Sequence, residues 1–175
     1  MALIESGVKD ASVVAAFDIN TFANQVYEHN HGLKPMVTNV EHLPVEFYDR
    51  LAADCWLMSP PCQPFTRGGK QRDDQDARSV GLLYLIEMLA KLKQPPRYLF
   101  LENVLNFEVS ECRRLLVEQL QRLGYRIEEW LVSPKDLGLP NDRLRYYLLA
   151  AKSETSELHG IYRSFAKVGE SVPIE

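Results

Sequence analysis

The sequence has few cysteines, no long apolar run and no excess of positive charge. Its three cysteines, Cys55, Cys62 and Cys112, are an odd number without paired spacing, which argues against a disulfide framework or a zinc site. No window approaches the apolar length of a membrane span, and the first residues lack a signal pattern. At a net charge of -4 the chain has no bulk basic character, so contact with nucleic acid would have to be local. These absences predict a cytoplasmic or nuclear protein without a membrane segment or a metal.

The length and composition suit one globular domain. The chain has 175 residues, of which 46% are hydrophobic and 25% are charged, and these values are ordinary for a folded protein with a sizeable core. We expect a folded unit over residues 1–151. Residues 152–175 are polar with only scattered apolar positions, so we expect them to form a loosely packed tail.

A cysteine follows a short apolar segment in the first half of the chain. Residues Cys55–Met58 (CWLM) are apolar, and Pro60 and Pro61 follow them closely. This pattern predicts a buried strand that must end there, because proline cannot donate to a β-ladder. Cys62 then lies just past the carboxyl end of that strand, which is where ligands gather in open α/β sheets. It is either a nucleophile, if its surroundings favour the thiolate, or an inert core cysteine.

A second apolar segment ends at an acid. Tyr98–Leu101 (YLFL) predicts another buried strand, and Glu102 and Asn103 follow it directly. If the two strands are parallel neighbours, this carboxylate and amide lie close to Cys62. The alternative is that Glu102 only caps the next turn.

Two arginines precede or begin a strand late in the chain. Strands predicted at Tyr125–Val132 and Arg145–Ala151 flank a loop and would add an antiparallel pair at the sheet edge. Arg143 and Arg145 lie where the second of these strands begins. They are either part of a site or partners in surface salt bridges, which usually contribute about 0–1 kcal/mol.

The N-terminal part predicts a strand that ends at an acid and then a helix. Val13–Phe17 is a compact apolar strand ending at Asp18, and Asn20 or Thr21 can cap the helix that follows. Met36–Val37 is a candidate for a second, short strand. An acid at a strand end in a βαβ unit is placed to accept hydrogen bonds from ribose hydroxyls; the alternative is a helix-capping or surface aspartate.

Two helices are predicted in the central part of the chain. Val80–Lys93 is apolar on most of its circumference, as expected for a helix buried between layers. Ser110 is a plausible cap for a second helix, which Gly124 ends. Cys112 lies on the apolar face of that helix, so we assign it to the core.

A short basic segment follows Cys62. Arg67, Lys70 and Arg72 surround two glycines, and three aspartates come soon after them. Such a loop could fold over a phosphate backbone. The alternative is a solvated surface loop whose cations are offset by the aspartates.

Three ordered motifs give the sequence a family resemblance. Met58–Thr66 (MSPPCQPFT), Glu102–Val104 (ENV) and Asn141–Arg145 (NDRLR) resemble the motifs of the cytosine-C5 methyltransferases, with Asn141 in place of the family's glutamine. The residues of the first and last motifs look most like those of the type-2 branch of the eukaryotic DNA methyltransferases. That branch is known chiefly for methylating a cytosine in the anticodon loop of aspartate tRNA. The resemblance covers about residues 10 to 151.

The resemblance implies a Rossmann-like α/β sheet and a set of catalytic roles. Cys62 is implied as the nucleophile that adds to carbon 6 of cytosine. Glu102 is implied as the carboxyl group that hydrogen-bonds ring nitrogen 3. Arg145, with Arg143 as second choice, is implied as the cation beside the cytosine carbonyl oxygen. The base that removes the carbon 5 proton is not identified.

The resemblance also implies a cofactor and substrate contacts. The cofactor is S-adenosylmethionine, with Asp18 at its ribose and Asn39 and Val40 at its adenine; Ile19 and Pro60 complete the implied cofactor site. The implied nucleic-acid contacts are Gln63, Asn103, Arg67, Lys70 and Arg72.

The sequence departs from the family pattern at both ends. The family begins with a strand and a glycine-rich turn, Phe-x-Gly-x-Gly-Gly, which this sequence does not contain. The missing strand would lie at the centre of the sheet, between the strands ending at Asp18 and at Met58. Without it, those two strands would have to close up or leave backbone groups unpaired, at about 1–3 kcal/mol for each buried group. The family's target-recognition region and closing motifs are absent too, so we expect an incomplete methyltransferase sheet.

Three functions remain open from the sequence. The first is a cytosine-C5 methyltransferase acting on tRNA, and the second is the same reaction on DNA. The third is a non-catalytic remnant that at most binds nucleic acid or a partner through the loop of Arg67, Lys70 and Arg72.

Overall fold

A computed structural model describes residues 11–61, 79–152 and 166–167 of the chain. The helices are α1 (Thr21–His31), α2 (Val45–Leu51), α3 (Val80–Leu89) and α4 (Glu111–Arg122). The strands are β1 (Cys55–Met58), β2 (Tyr98–Val104), β3 (Tyr125–Val132), β4 (Arg145–Lys152) and β5 (Ala166–Lys167). Single 3-10 turns lie at Val40–His42, Phe107–Val109 and Pro134–Leu137.

The strands form one mixed sheet in the order β1-β2-β4-β3-β5. β1 and β2 run parallel, with Met58 opposite Leu101. β4 runs antiparallel to both β2 and β3, so the start of β4 lies at the carboxyl end of β2, where Val104 pairs with Arg145. The predicted antiparallel pair is therefore confirmed. Its second strand, β4, is the one inserted next to β2.

One face of the sheet carries the core. Buried and half-exposed residues alternate along β2, as expected for a strand with only one fully covered face. The buried face of β2 and β4 packs against α3 and α4. The core residues of these four elements that are less than 4% exposed are Leu82, Met88, Leu89, Leu99, Leu101, Cys112, Leu116, Leu120, Tyr146, Leu148 and Ala150. The assignment of Cys112 to the core is confirmed.

Helix α3 is shorter than the sequence predicted. It ends at Leu89, whereas the apolar pattern extended it to Lys93. The reason lies in α2: the Asp49 carboxylate accepts hydrogen bonds from the backbone N–H groups of Lys93 (2.9 Å) and Gln94 (3.4 Å). These amides therefore bond to a side chain and not to the preceding helical turn.

The predicted caps of α1 and α4 are both present. The Asn20 side chain accepts from the Ala23 N–H at 3.1 Å, and the Ser110 hydroxyl accepts from the Arg113 N–H at 3.0 Å. Gly124 follows α4 with a φ of +79°, a left-handed conformation that glycine adopts without steric cost and that turns the chain into β3.

The predicted N-terminal strands are reduced to a single bridge. Phe17 and Met36 pair in parallel as an isolated bridge, and the rest of Val13–Phe17 is not a strand. Val13 and Val14 are 46% and 54% exposed. The prediction of a full strand was wrong because a strand needs a neighbour along its length, and within the described residues this segment has one only at Phe17.

Candidate active site

The carboxyl ends of β1 and β2 meet at one edge of the sheet. Because the two strands are parallel and in register up to Met58 and Leu101, the segment Ser59–Pro61 lies beside Glu102–Val104. The Asn103 side-chain amide donates to the Pro60 carbonyl oxygen at 3.5 Å, which ties the two strand ends together. The condition that the sequence left open, that these two strands are parallel neighbours, is therefore met.

The antiparallel strand β4 brings an arginine to the same edge. The Arg145 Nε lies 3.3 Å from Glu102 Oε1, and the two side chains are 19% and 31% exposed. Arg145 also donates from Nη1 to the Leu144 carbonyl oxygen at 2.9 Å. This charge pair is thus half-buried and partly oriented by backbone, an arrangement that strengthens its electrostatic effect relative to a fully solvated pair.

A cleft of about 230 Å³ opens at this edge. It contains a carboxylate, two guanidinium groups and the two prolines that precede Cys62. The residues that line it are Ser59, Pro60, Pro61, Glu102, Asn103, Val104, Arg143 and Arg145.

Arg143 and Arg145 are held differently. Arg143 is exposed, and its backbone N–H donates to the Ser133 hydroxyl at 3.3 Å. The loop before it is closed by an ion pair between Lys135 Nζ and Asp142 Oδ2 at 2.7 Å. Of the two guanidinium groups, it is that of Arg145 that pairs with Glu102.

Asn103 faces the opposite side of β2 from Glu102. Its side chain is 2% exposed; besides donating to Pro60, it accepts a hydrogen bond from the Val104 N–H at 2.9 Å. Alternation along a strand explains the difference, since neighbouring residues point to opposite faces. The amide therefore bonds to backbone on the buried side, and a substrate contact for it remains a prediction.

The residues predicted for the cofactor lie at the ends of the bridged N-terminal segments. The Asp18 N–H donates to the Met36 carbonyl oxygen at 3.3 Å, so the residues after Phe17 lie beside the residues after Met36. The Asp18 carboxylate is exposed, and its Oδ1 accepts from the Asn20 N–H at 2.8 Å. Its second oxygen has no hydrogen bond to another described residue and is available for a hydroxyl donor.

Asn39 and Val40 follow the second of these segments. Both are half-buried at the start of a 3-10 turn, and the Asn39 side chain makes no capping bond there. The Val40 carbonyl accepts from the buried Tyr48 hydroxyl at 2.8 Å, which anchors the turn to α2. Ile19, by contrast, is 67% exposed. A carboxylate, an amide and an apolar side chain thus lie at neighbouring segment ends. Together they offer hydrogen-bonding groups and an apolar surface of the kind that suits a nucleoside.

Comparison with known proteins identifies the family. The sequence profile of the C-5 cytosine-specific DNA methylases matches residues 2–171. The chain belongs to this family. The resemblance carried by the Pro-Pro-Cys, Glu-Asn-Val and arginine motifs is therefore confirmed.

The relatives of this chain include proteins named as tRNA methyltransferases and one named as a DNA methyltransferase. The chain is 47% identical over 150 residues to the tRNA (cytosine(38)-C(5))-methyltransferase of Homo sapiens, covering 85% of this chain and 38% of the relative. It is 42% identical over 154 residues to the DNA (cytosine-5)-methyltransferase of Dictyostelium discoideum, covering 86% of this chain and 40% of the relative. The chain spans less than half the length of either protein.

A solved structure confirms the methylase fold. The S. pombe Dnmt2 methyltransferase matches with a TM-score of 0.74 at 34% identity, over 84% of this chain and 44% of that one. The mixed α/β sheet predicted from the sequence is thus the partial sheet of a methyltransferase.

Five of the methylase residues predicted for the site lie outside the described part of the chain. They are Cys62, Gln63, Arg67, Lys70 and Arg72. The structure does place the carboxylate, the arginines and the prolines immediately before Cys62 around one cleft.

Tyr147 is a site neighbour that the sequence reasoning missed. It is paired with Glu102 across β2 and β4, and it shares a strand face with Arg145. Burial, followed by the nearby Glu102 carboxylate, raises the pKa of Tyr147. Residues two positions apart on a strand share a face, so counting along β4 from Arg145 would have identified Tyr147.

The described residues hold no group of three or more His, Cys, Asp and Glu side chains placed to bind a metal ion. Within the same ranges, no helix is long and apolar enough to cross a membrane.

Proposed function

We propose that this chain is the catalytic-core part of an S-adenosylmethionine-dependent methyltransferase that acts on carbon 5 of a cytosine in tRNA. The observation that carries the proposal is the pair of Glu102 and Arg145 at 3.3 Å. It lines one cleft with Pro60 and Pro61, and Cys62 is the next residue in the chain. A carboxyl group and a guanidinium group beside the proline that directly precedes a cysteine in the chain are the groups that this reaction requires.

Cys62 supplies the nucleophile in this proposal. Carbon 5 of cytosine is a poor nucleophile until something adds at carbon 6. Addition of the Cys62 thiolate forms a sulfur–carbon 6 bond and moves the ring electrons toward carbon 5. After carbon 5 has gained a methyl group, loss of its proton to a base re-forms the ring double bond and releases the thiolate.

Glu102 and Arg145 stabilise the charge that develops on the ring. A carboxyl group at Glu102 hydrogen-bonds ring nitrogen 3, which makes addition at carbon 6 easier. The Arg145 guanidinium, already oriented by the Leu144 carbonyl oxygen, presents its donors to the cytosine carbonyl oxygen. The exposed Arg143 is better placed for a phosphate of the substrate.

The residues near Asp18 fit part of the cofactor. S-adenosylmethionine supplies an electrophilic methyl group when bound. The open Asp18 oxygen can accept from ribose hydroxyls, while the amide of Asn39 and the side chain of Val40 can meet the adenine. The sequence has no glycine-rich turn for the methionine part, so we expect binding weaker than that of a full-length relative.

An RNA loop is the favoured substrate. The target base must leave its stack to reach a cleft, at a cost of roughly a few kcal/mol that is smaller in a loop than in a duplex. The human relative at 47% identity is a tRNA methyltransferase, which supports tRNA as the substrate of this chain.

DNA is the second candidate substrate. The Dictyostelium relative, at 42% identity, is named as a DNA methyltransferase. Both substrates use the same chemistry at Cys62, so only a direct comparison of the two distinguishes them.

The test is transfer of a labelled methyl group from S-adenosylmethionine to tRNA and to duplex DNA. We expect methylated tRNA, loss of the signal in Cys62→Ala, and retention of it in the control Cys55→Ala, because Cys55 lies at the start of β1 away from the cleft. Unchanged methylation by Cys62→Ala would eliminate the proposed nucleophile, and a preference for DNA would establish the second candidate.

Calorimetric titration with S-adenosylmethionine separates an enzyme from a non-catalytic chain. Binding that Asp18→Ala weakens supports the cofactor site. A folded sample that neither binds the cofactor nor methylates either substrate would contradict the proposed function and favour a remnant that binds only nucleic acid or a partner.

A further inference from the structure

Three polar side chains meet on the core face of the sheet. Arg113 of α4 donates from Nε to Oε1 of Glu129 at 2.7 Å, and its Nη2 donates to the second carboxylate oxygen. The Tyr146 hydroxyl donates to the same Oε1 at 2.5 Å. Arg113, Glu129 and Tyr146 thus form a core triad that joins α4, β3 and β4 through one carboxylate.

The core triad is largely removed from solvent. The side chains of Arg113 and Glu129 are 27% and 16% exposed, and Tyr146 is fully buried. Burial, followed by the hydrogen bond to Glu129, raises the pKa of Tyr146, so its hydroxyl remains a donor at neutral pH. A buried ion pair is often no more stabilising than apolar side chains of the same volume. What a bidentate guanidinium–carboxylate pair does provide is a fixed geometry.

The core triad fixes β4 at the point where the strand enters the cleft. β4 begins at Arg145, and Tyr146 is its first buried residue. Neighbouring residues of a strand point to opposite faces. Because Tyr146 is held on the core face, Arg145 is directed to the other face, where its Nε lies 3.3 Å from Glu102 Oε1.

A second buried link lies in the same row of the sheet. Tyr146 is opposite Asn103 of β2, and the Asn103 amide donates to the Pro60 carbonyl oxygen at 3.5 Å. The ring of the buried Phe107 lies 5.1 Å from that of Tyr146. Directly opposed residues have Cβ atoms about 4.5–5.5 Å apart. The residues that follow the two charged cleft residues in the chain therefore lie side by side on the core face.

We propose that the core triad positions the Arg145 guanidinium against Glu102, with Tyr146 as the positioning residue. Its members lie on the face of the sheet away from the cleft, so they act through Arg145 and not on the substrate. A misplacement of about 1 Å in a site can lower a rate about 100-fold. The effect on methyl transfer rests on the proposed function, whereas the position of Arg145 can be measured without cofactor or substrate.

Solvent exchange of the Arg145 Nε proton, measured by NMR on the full chain, reports on its contact with Glu102. The signal is the one that Arg145→Lys removes. Tyr146→Phe keeps the ring and removes only the hydroxyl that bonds to Glu129, and we expect the exchange to be at least tenfold faster in this variant. Arg113→Lys keeps the charge but not the bidentate fork, and should change the exchange in the same direction.

Tyr125→Phe is the matched control. Tyr125 is also buried in the sheet, and its hydroxyl donates to the Pro96 carbonyl oxygen. It pairs with Lys152 at the far end of β4 from Arg145. This variant should leave the exchange of the Arg145 Nε proton within twofold of the wild type. An effect on stability alone would raise the exchange equally in both tyrosine variants.

Methyl transfer to tRNA gives a second readout. Under conditions in which the chain is folded, we expect Tyr146→Phe to lower kcat about tenfold and to leave KM for tRNA within twofold. In an Arg145→Ala background the same substitution should have no further effect on kcat, because a positioning residue acts through the residue that it positions. Tyr125→Phe should leave kcat unchanged.

Unchanged exchange of the Arg145 Nε proton in Tyr146→Phe would overturn the proposal, and so would equal increases in Tyr146→Phe and Tyr125→Phe. Additive losses of kcat in the double variant would also overturn it. A wild-type chain that transfers no methyl group would contradict the proposed function, while the exchange measurements would still decide how Arg145 is positioned.

Discussion

At the scale of single residues, two arginines only two positions apart do different things. Arg145 is 19% exposed and pairs with Glu102, whereas Arg143 is exposed and is tied to the rest of the loop through its backbone. The difference follows from the start of β4, since Arg145 is its first residue and is directed by the strand toward the cleft. We therefore expect Arg145 to contribute more than Arg143 to the rate of methyl transfer.

Substituting the two arginines separately tests this order. We expect Arg145→Ala to lower methyl transfer by about 100-fold or more, as loss of an oriented charge donor typically does. Arg143→Ala should act mainly on the affinity for the nucleic acid and leave the maximal rate within a few-fold. Saturation kinetics with tRNA measures both, and equal losses of maximal rate would contradict the assignment.

Tyr125 predicts a pH dependence of stability. The side chain is 5% exposed, its hydroxyl donates to the Pro96 carbonyl, and burial raises the pKa of Tyr125 to about 12. An unfolded tyrosine ionises near pH 10, so above that pH the unfolded state loses its proton first. The free energy of unfolding should therefore be unaffected below about pH 10 and fall by roughly 2–3 kcal/mol between about pH 10 and pH 12.

Urea unfolding at pH 8 and at pH 11 measures this effect. Tyr125→Phe should reduce the difference between the two pH values and should cost about 1 kcal/mol at pH 8, because the Pro96 carbonyl loses its donor. The free energy of unfolding of Tyr125→Phe should still fall somewhat between the two pH values, because burial also raises the pKa of Tyr48 and Tyr146.

At the scale of elements, α1 and α4 have similar caps but different packing. Both begin with a side chain that accepts from the backbone N–H three residues on. Helix α4 buries Cys112, Leu116, Gln119 and Leu120, whereas α1 buries only Asn24 and leaves Phe22 79% exposed. Most helical stability in proteins comes from packing an apolar face, so the two helices should differ in local stability.

Hydrogen exchange should separate these two helices. We expect the central amides of α4 to exchange at the rate of global unfolding and those of α1 at least about tenfold faster, through local opening. Ser110→Ala should lower the global free energy of unfolding by about 1 kcal/mol, and Asn20→Ala should increase exchange in α1 alone. Equal exchange rates in the two helices would show that α1 is packed as firmly as α4.

At the scale of the whole molecule, the charge balance limits how nucleic acid is bound. The net charge is -4, so the affinity for a phosphate backbone depends on a few local cations and not on the protein as a whole. Within the described residues, the guanidinium groups of Arg143 and Arg145 line the cleft. The predicted loop cations Arg67, Lys70 and Arg72 lie outside those residues.

The salt dependence of tRNA binding tests the loop cations. Replacing Arg67, Lys70 and Arg72 with alanine should reduce the slope of log affinity against log salt concentration by about 2, at roughly 0.7 per single-strand phosphate contact. Arg114→Ala is the control because its guanidinium bonds to Glu111 and Glu118 on α4. An unchanged slope in the triple variant would mean that the loop is a solvated surface segment.

Much of the fold and of the site was predictable from local patterns. The apolar runs located β1 and β2, the residues Asn20 and Ser110 located the starts of two helices, and the motif at Arg145 located the start of β4. Such features depend on near neighbours in the chain, so the sequence specifies them directly. The parallel pairing of β1 with β2 was left as a condition by the sequence, and the structure meets it, as is common for successive strands joined by a helix.

The sequence by itself determined which chemical groups this protein carries and in what order. Only the tertiary structure decided that Glu102 meets Arg145, that Asn103 turns to the buried side, and that β4 lies between β2 and β3. Pairing between distant strands sets these features, and each pairing depends on which neighbours are present in space. The short strand predicted at Val13–Phe17 shows the same physics, since an apolar run forms a strand only where another backbone satisfies its hydrogen bonds.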